Sequence, residues 1–223
     1  MIAKKQMGAR YCFSRLLILF AVCMPLLADS IVSQGHLDEL QRRYGEAAYQ
    51  RGRQLQLILV EIASLSEHEK LVRVNDFFNQ FTYVDDLENW QERDYWATPE
   101  EFIGRMRGDC EDYVIAKYFA LREVGVPESK LFLTYVKATE LNVAHMVLTY
   151  FEKPQSIPLV LDNYDLRVLP ASERKDLLPV YSFNARTFFL TDTTAGVGTR
   201  VPTDKIKNSK WKALLNTLRE GEK

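Results

Sequence analysis

Cysteine, glycine, proline and histidine are all scarce in this chain, and it contains a single long apolar run. Its 223 residues include 3 cysteines, 10 glycines and 8 prolines, far too few for a disulfide scaffold, a collagen-like repeat or a low-complexity segment. An excess of one charge is missing too. The 29 basic and 30 acidic residues leave a net charge of −1, which excludes a nucleic-acid binder driven by bulk electrostatics. There is no internal repeat and no Ser/Pro-rich linker. What is present, 47% apolar and 26% charged residues, describes an ordinary globular protein with one domain or a domain carrying a small helical appendage.

The apolar run lies near the start. Lys4, Lys5, Arg10 and Arg15 precede the almost wholly apolar stretch Leu16–Leu27, which ends at Ala28 before Asp29. The stretch is short against the ~20 residues of a membrane span. A basic region, a short apolar segment and a small residue together predict a secretory signal peptide over residues 1–28, cleaved after Ala28. An uncleaved inner-membrane anchor is the alternative, and Phe20-Ala21-Val22-Cys23 makes a poor lipobox. Four positive charges and no negative one leave with this segment, taking the net charge from −1 to −5. Cys12 and Cys23 leave as well, and Cys110 stands alone in residues 29–223. In an exported protein such a cysteine is a buried inert residue, an intermolecular partner or a reactive thiol.

Apolar residues from His36 to Leu65 recur at three- and four-residue steps and predict a long amphipathic helix interrupted by Gly45 and Gly52. Ser66-Glu67-His68-Glu69 has the form of a capping box and starts a second helix through about Phe81. An acidic, aromatic loop follows over Thr82–Thr98, and Pro99 opens a short helix through about Met106. Asp109 is placed to cap the next helix, whose first residue is Cys110 and whose end is set by Gly125 and Pro127. The period then changes. Leu131–Lys137, Val143–Phe151, Pro158–Tyr164, Leu177–Phe183 and Phe188–Thr191 read as strands, and the tail from Lys205 reads as a basic amphipathic helix. Helices over about 36–125 followed by an antiparallel sheet over about 130–200 make a single α+β domain spanning 29–223.

His145 and Asp162 fall on consecutive predicted strands. With a hairpin loop of Glu152–Gln155 and Phe151 opposite Ser156, the two face each other on one side of the sheet, Cβ atoms about 5 Å apart. A register shifted by two residues keeps them diagonal neighbours, whereas a shift of one separates them. A carboxylate beside an imidazole fixes its tautomer and stabilises the imidazolium. Cys110, at a helix N-terminus where the dipole favours thiolate, supplies the missing nucleophile. The spacing thus suggests Cys110 as nucleophile, His145 as base then acid, and Asp162 as orienter. Each residue alone has a bland explanation: a structural cysteine, a core histidine, a turn aspartate. His36 and His68 read as solvated surface histidines.

Asp109, Glu111 and Asp112 crowd carboxylates around the thiol and oppose its ionisation. Either they merely cap the helix and complement its dipole, or they hold a hard cation, for which Ca²⁺ is the natural candidate outside the cytoplasm.

The segments Tyr95–Phe102 (YWATPEEF), Gly108–Tyr118 (GDCEDYVIAKY), Ala144–Leu148 (AHMVL), Leu161–Asn163 (LDN) and Tyr181–Asn184 (YSFN) resemble signatures of the bacterial transglutaminase-like cysteine proteinases. Within that family the resemblance is to periplasmic proteases that release large surface adhesins. It implies a papain-like or transglutaminase-like core with Cys110, His145 and Asp162 as the triad. It also implies calcium dependence through the acidic motif Asp109, Glu111 and Asp112. The substrate expected by resemblance is the N-terminal region of a large cell-surface adhesin, so that cleavage controls biofilm attachment. The expected partner is an inner-membrane cyclic-di-GMP receptor that sequesters the protease, with the Tyr83–Trp96 loop as a candidate docking surface. The oxyanion hole is expected to use the Cys110 backbone N–H and a donor from the Trp90–Trp96 loop. Two other functions fit the same residues: a transglutaminase-like acyl transferase, and an inactive peptide-binding module.

Overall fold

The computed structural model describes residues 30–185, 188–190, 199–201 and 209–221. The segment assigned to a leader, with Cys12 and Cys23, lies outside the described residues. Among those described, no helix is long and apolar enough to cross a membrane.

The first amphipathic stretch is two helices, α1 (Gln34–Tyr44) and α2 (Glu46–Ile62). The break falls at Gly45, whose φ of 83° is freely open only to glycine. Gly52, the other expected interruption, lies inside α2 and serves packing. A Cβ there would come within 2.6 Å of Leu40 and 2.7 Å of Leu37, so the bare backbone lets α1 and α2 approach closely. The Ser66–Glu69 capping box forms with both reciprocal bonds and starts α3 (Glu67–Phe78).

The expected loop after α3 holds two short elements, β1 (Thr82–Tyr83) and α4 (Asp86–Asn89). A second capping box, Thr98 with Glu101, opens α5 (Pro99–Arg105) with proline in the first turn, where its missing N–H costs nothing. Beyond it, β2 (Arg107–Gly108) pairs in parallel with β1, bringing the α3–α4 junction beside the start of α6 (Cys110–Glu123).

α6 is the core helix. Tyr113, Val114, Ile115, Ala116, Tyr118, Ala120 and Leu121 are all buried, because α3 and α5 pack on it as well as the sheet. The sheet runs through β3 (Leu131–Ala138), β4 (Val143–Tyr150), β5 (Leu159–Leu161), β6 (Leu169–Pro170), β7 (Leu177–Phe183), β8 (Phe188–Leu190) and β9 (Thr199–Val201). Their order is β6-β5-β4-β3-β7-β8-β9, with every neighbouring pair antiparallel. Neither β6 nor β9 is foreshadowed by alternation in the sequence, since each has only two or three residues. The tail helix, α7 (Ser209–Gly221), is anchored by Trp211, edge-on to Tyr118 at 5.6 Å and to Phe183 at 5.8 Å between ring centroids. The α+β class and the helices-then-sheet order hold.

Candidate active site

The sheet delivers His145 and Asp162 together, in a register two residues away from the expected one. Leu148 lies opposite Leu161 and Tyr150 opposite Leu159. A turn closed by the Ser156 N–H on the Lys153 carbonyl at 2.9 Å, followed by Ile157 and Pro158, makes the connection longer than the assumed loop. An even shift preserves the face, and His145 Nε2 lies 2.8 Å from Asp162 Oδ1 with both side chains fully buried.

Asp162 accepts more than this bond. Its Oδ1 also takes the N–H groups of Asn163 at 2.6 Å and Tyr164 at 3.1 Å, and its Oδ2 takes Arg174 Nη2 at 2.7 Å. Burial pushes the carboxyl up, but the bonds and charges of His145 and Arg174, with the Tyr164 N–H, outweigh it and hold the group below the usual range. An ionised carboxylate can only accept, so His145 Nε2 carries the proton and Nδ1 carries the lone pair. That Nδ1 is buried and has no hydrogen-bond partner in the structure. The Tyr164 ring covers one face of the imidazole, its centroid 4.2 Å away and its plane 8° from parallel.

Cys110 opens α6, which packs against β4, the strand that carries His145. Its sulfur is within the influence of the Met146 backbone N–H, the residue after His145. The thiol donates to Glu111 Oε2 at 3.2 Å. Burial, followed by the charges of Glu111 and Asp109, pushes it well up. The expected advantage of a helix N-terminus is therefore outweighed by burial and, after it, by the carboxylates beside the thiol.

Asp109 holds the N-cap position but its side chain makes no capping bond, and its Oδ1 is buried and unpartnered. Three carboxylate oxygens, from Asp86, Asp109 and Glu111, lie within 4.8 Å of one another. Asp86 Oδ2 accepts the Tyr95 N–H, while its Oδ1 is buried without a partner. Burial first and Glu111 second raise the Asp86 carboxyl to about 6, and the same two causes drive Asp109 well up. Asp112, expected in this group, is not one of the three. Its Oδ1 accepts the Ala97 N–H at 2.8 Å, and its Oδ2 lies where a Cβ on Gly108 would come within 2.2 Å. Asp86 takes its place in the cluster.

A family model described as bacterial transglutaminase-like cysteine proteinase matches residues 35–176. The chain belongs to this family. Two solved structures of LapG from Legionella pneumophila share its transglutaminase-like fold. The calcium-bound form is 38% identical, with a TM-score of 0.71 over 82% of this chain and 98% of that one. The EGTA-treated form is 37% identical, with a TM-score of 0.71 over 82% and 97%. No curated protein matches the chain.

The matched range of this cysteine proteinase encloses every residue of the site, from Asp86 to Asp176. Sequence reasoning missed two of them. Asp86 stands far upstream of the Cys110 motif, and its one signal was membership of an acidic, aromatic stretch that also offers Asp85, Glu88, Glu92 and Asp94. Arg174 follows a three-residue helical turn after β6, where spacing carries no information.

Proposed function

We propose that the protein is a periplasmic, calcium-dependent cysteine endopeptidase that cuts the N-terminal region of a large surface adhesin. Family membership supports the proteinase activity. The observation that carries the residue roles is the buried His145–Asp162 pair, whose Nδ1 is left without a partner among the described residues, with the Cys110 thiol reaching the backbone of Met146, the next residue along β4.

The Cys110 proton passes to His145 Nδ1 as sulfur attacks the scissile carbonyl carbon. The Cys110 backbone N–H, at a first helical turn where no intrahelical acceptor exists, donates to the developing oxyanion. His145 then gives its proton to the leaving amine. Water attacks the thioester, loses a proton to His145, and the free carboxylate departs as the thiol is restored. Asp162 holds the ring and stabilises its charged form throughout.

The acidic cluster fits a hard cation: three oxygen donors converge, and two of the residues carry buried, unpartnered oxygens. Asp86, Asp109 and Glu111 would hold Ca²⁺, which would supply positive charge where three carboxylates now repel one another. The calcium-bound and EGTA-treated LapG structures support this choice of ion. Export through residues 1–28 and sequestration by an inner-membrane cyclic-di-GMP receptor complete the proposal, both resting on family resemblance.

The test is incubation of purified protein with the N-terminal region of a large adhesin from the same genome. Calcium-dependent appearance of a new free carboxylate, absent with Cys110→Ala, is the expected result. An amide crosslink would instead identify an acyl transferase. Unchanged biological output from a Cys110→Ser strain would point to a binding module.

A further inference from the structure

The Asp162 carboxylate is buried completely, and its orienting work depends on its remaining charged when the imidazole beside it is neutral. In that state His145 offers a hydrogen bond but no net charge, and an isolated buried carboxylate would sooner take up a proton than stay ionised. Arg174 prevents this. Its Nη2 lies 2.7 Å from Asp162 Oδ2, and its side chain is 4% exposed. Lys117 is another buried cation nearby, and its charge is felt by Asp162, but its Nζ bonds the Asp162 backbone carbonyl at 3.0 Å and not the carboxylate oxygens that Arg174 holds.

A guanidinium this close would also weaken the field that Asp162 exerts on an imidazolium. A second carboxylate answers that. Asp176 grips the same guanidinium through Nε–Oδ1 at 3.0 Å and Nη2–Oδ2 at 2.8 Å. Asp162, Arg174 and Asp176 together carry one negative charge, so His145 still faces a net anion. The Asp162 carboxylate meanwhile has both oxygens tied: Oδ1 by three N–H groups, Oδ2 by Arg174.

We propose that Arg174 is a positioning residue of the proteolytic reaction, holding Asp162 as an oriented anion, and that Asp176 neutralises it. The inference rests on the proteinase reading above and adds to it a residue that acts only through Asp162. Losing Arg174 frees the carboxylate to rotate or to protonate, and either change releases the Nε2–H that keeps Nδ1 aimed at Cys110. A misplacement of this kind costs on the order of 100-fold in rate.

Full-length Arg174→Gln, Arg174→Lys and Asp176→Asn proteins test it through two readouts. The first is the low-field proton resonance of the His145 Nε2–H in histidine-labelled protein, which needs no substrate. The second is kcat and KM on an adhesin fragment that the wild type cuts. Arg174→Gln should lose the resonance and about 100-fold in kcat, with KM little changed. Arg174→Lys, which keeps the charge without the fork, should restore the resonance and at least about tenfold of the rate. Asp176→Asn should keep the resonance and lose kcat by about fivefold, because the unneutralised guanidinium disfavours the imidazolium. A folded Arg174→Gln protein with the resonance intact overturns the proposal, as does equal impairment of the Gln and Lys variants. If Arg174→Gln does not fold, Asp176→Asn decides, and an unchanged kcat there overturns the charge balance. Failure of the proteinase reading looks different: wild type would show the resonance and cut nothing.

Discussion

On the sheet side of the site each charge is answered by a neighbour, whereas at the start of α6 carboxylates face one another. Asp162 has four donors and lies below the usual carboxylate range. Asp86, buried, and Asp109, partly exposed, are raised by burial and by Glu111. Both regions are acidic and largely buried. The difference is whether the polypeptide supplies its own counter-charge. The sheet side supplies its own counter-charge as folded; the helix side, where the thiol sits, gathers carboxylates instead.

The sharpest way to break this comparison is to remove a reacting group. Cys110→Ala and His145→Ala should each lower proteolysis by roughly 10³-fold or more. Cys110→Ala should leave the urea midpoint close to wild type, whereas His145→Ala, which empties a buried site and takes a donor from Asp162, should lower it. Comparable activity in either variant would end the thiol mechanism. Asp162→Asn comes next. It should slow turnover by about 10²-fold or more, and cost about 1–3 kcal/mol of stability in urea titration, because Arg174 loses its buried acceptor.

Calcium provides the contrast between the regions. Chelation should stop cleavage reversibly, and Ca²⁺ at about 100 times its Kd should stabilise the fold by about 2.7 kcal/mol, read by thermal unfolding. Asp86→Asn should abolish that gain, yet make the calcium-free protein more stable than wild type, since it removes one repelling charge. A destabilised calcium-free Asp86→Asn protein would show that the cluster is not frustrated.

The pH dependence of stability should have opposite signs on the two sides. Asp86 is raised when folded, to about 6, against about 3.9 in an unfolded chain. Its contribution is therefore fully present below pH ~4 and is lost as pH rises through about 6. Asp162 is lowered when folded, so its contribution is present above about 3.9 and is lost only in more acidic solution. Calcium-free protein should accordingly lose stability between about pH 4 and 6, and saturating Ca²⁺ should remove that loss. The smallest effect is a calibration remote from both regions: Ser66→Ala breaks a capping box, should cost about 1 kcal/mol, and should leave kcat unchanged.

Much of this was legible in the residue order, and the failures have physical causes. Helix starts at Ser66 and Thr98 followed from side chains acting on their own backbone, which is local chemistry. The His145–Asp162 contact survived an incorrect loop length because a strand repeats every two residues, so an error of two changes the offset and not the face. The place of Asp112 in the acidic motif does not show that its Oδ1 accepts the distant Ala97 N–H. Asp86 and Arg174 reach the site through β1–β2 pairing and the β5–β6 return, long-range events that leave no periodic trace.

Tyr164 belongs to neither side of that contrast. Its backbone N–H holds the Asp162 carboxylate, and its ring lies flat on the His145 imidazole. One residue thus touches both members of the pair, by main chain and by side chain. A histidine ring ordinarily swings about its second side-chain torsion. Tyr164 and Asp162 remove that freedom during folding, so the entropy of fixing the imidazole is lost once in the life of the molecule, and under the proposed mechanism not again at each turnover.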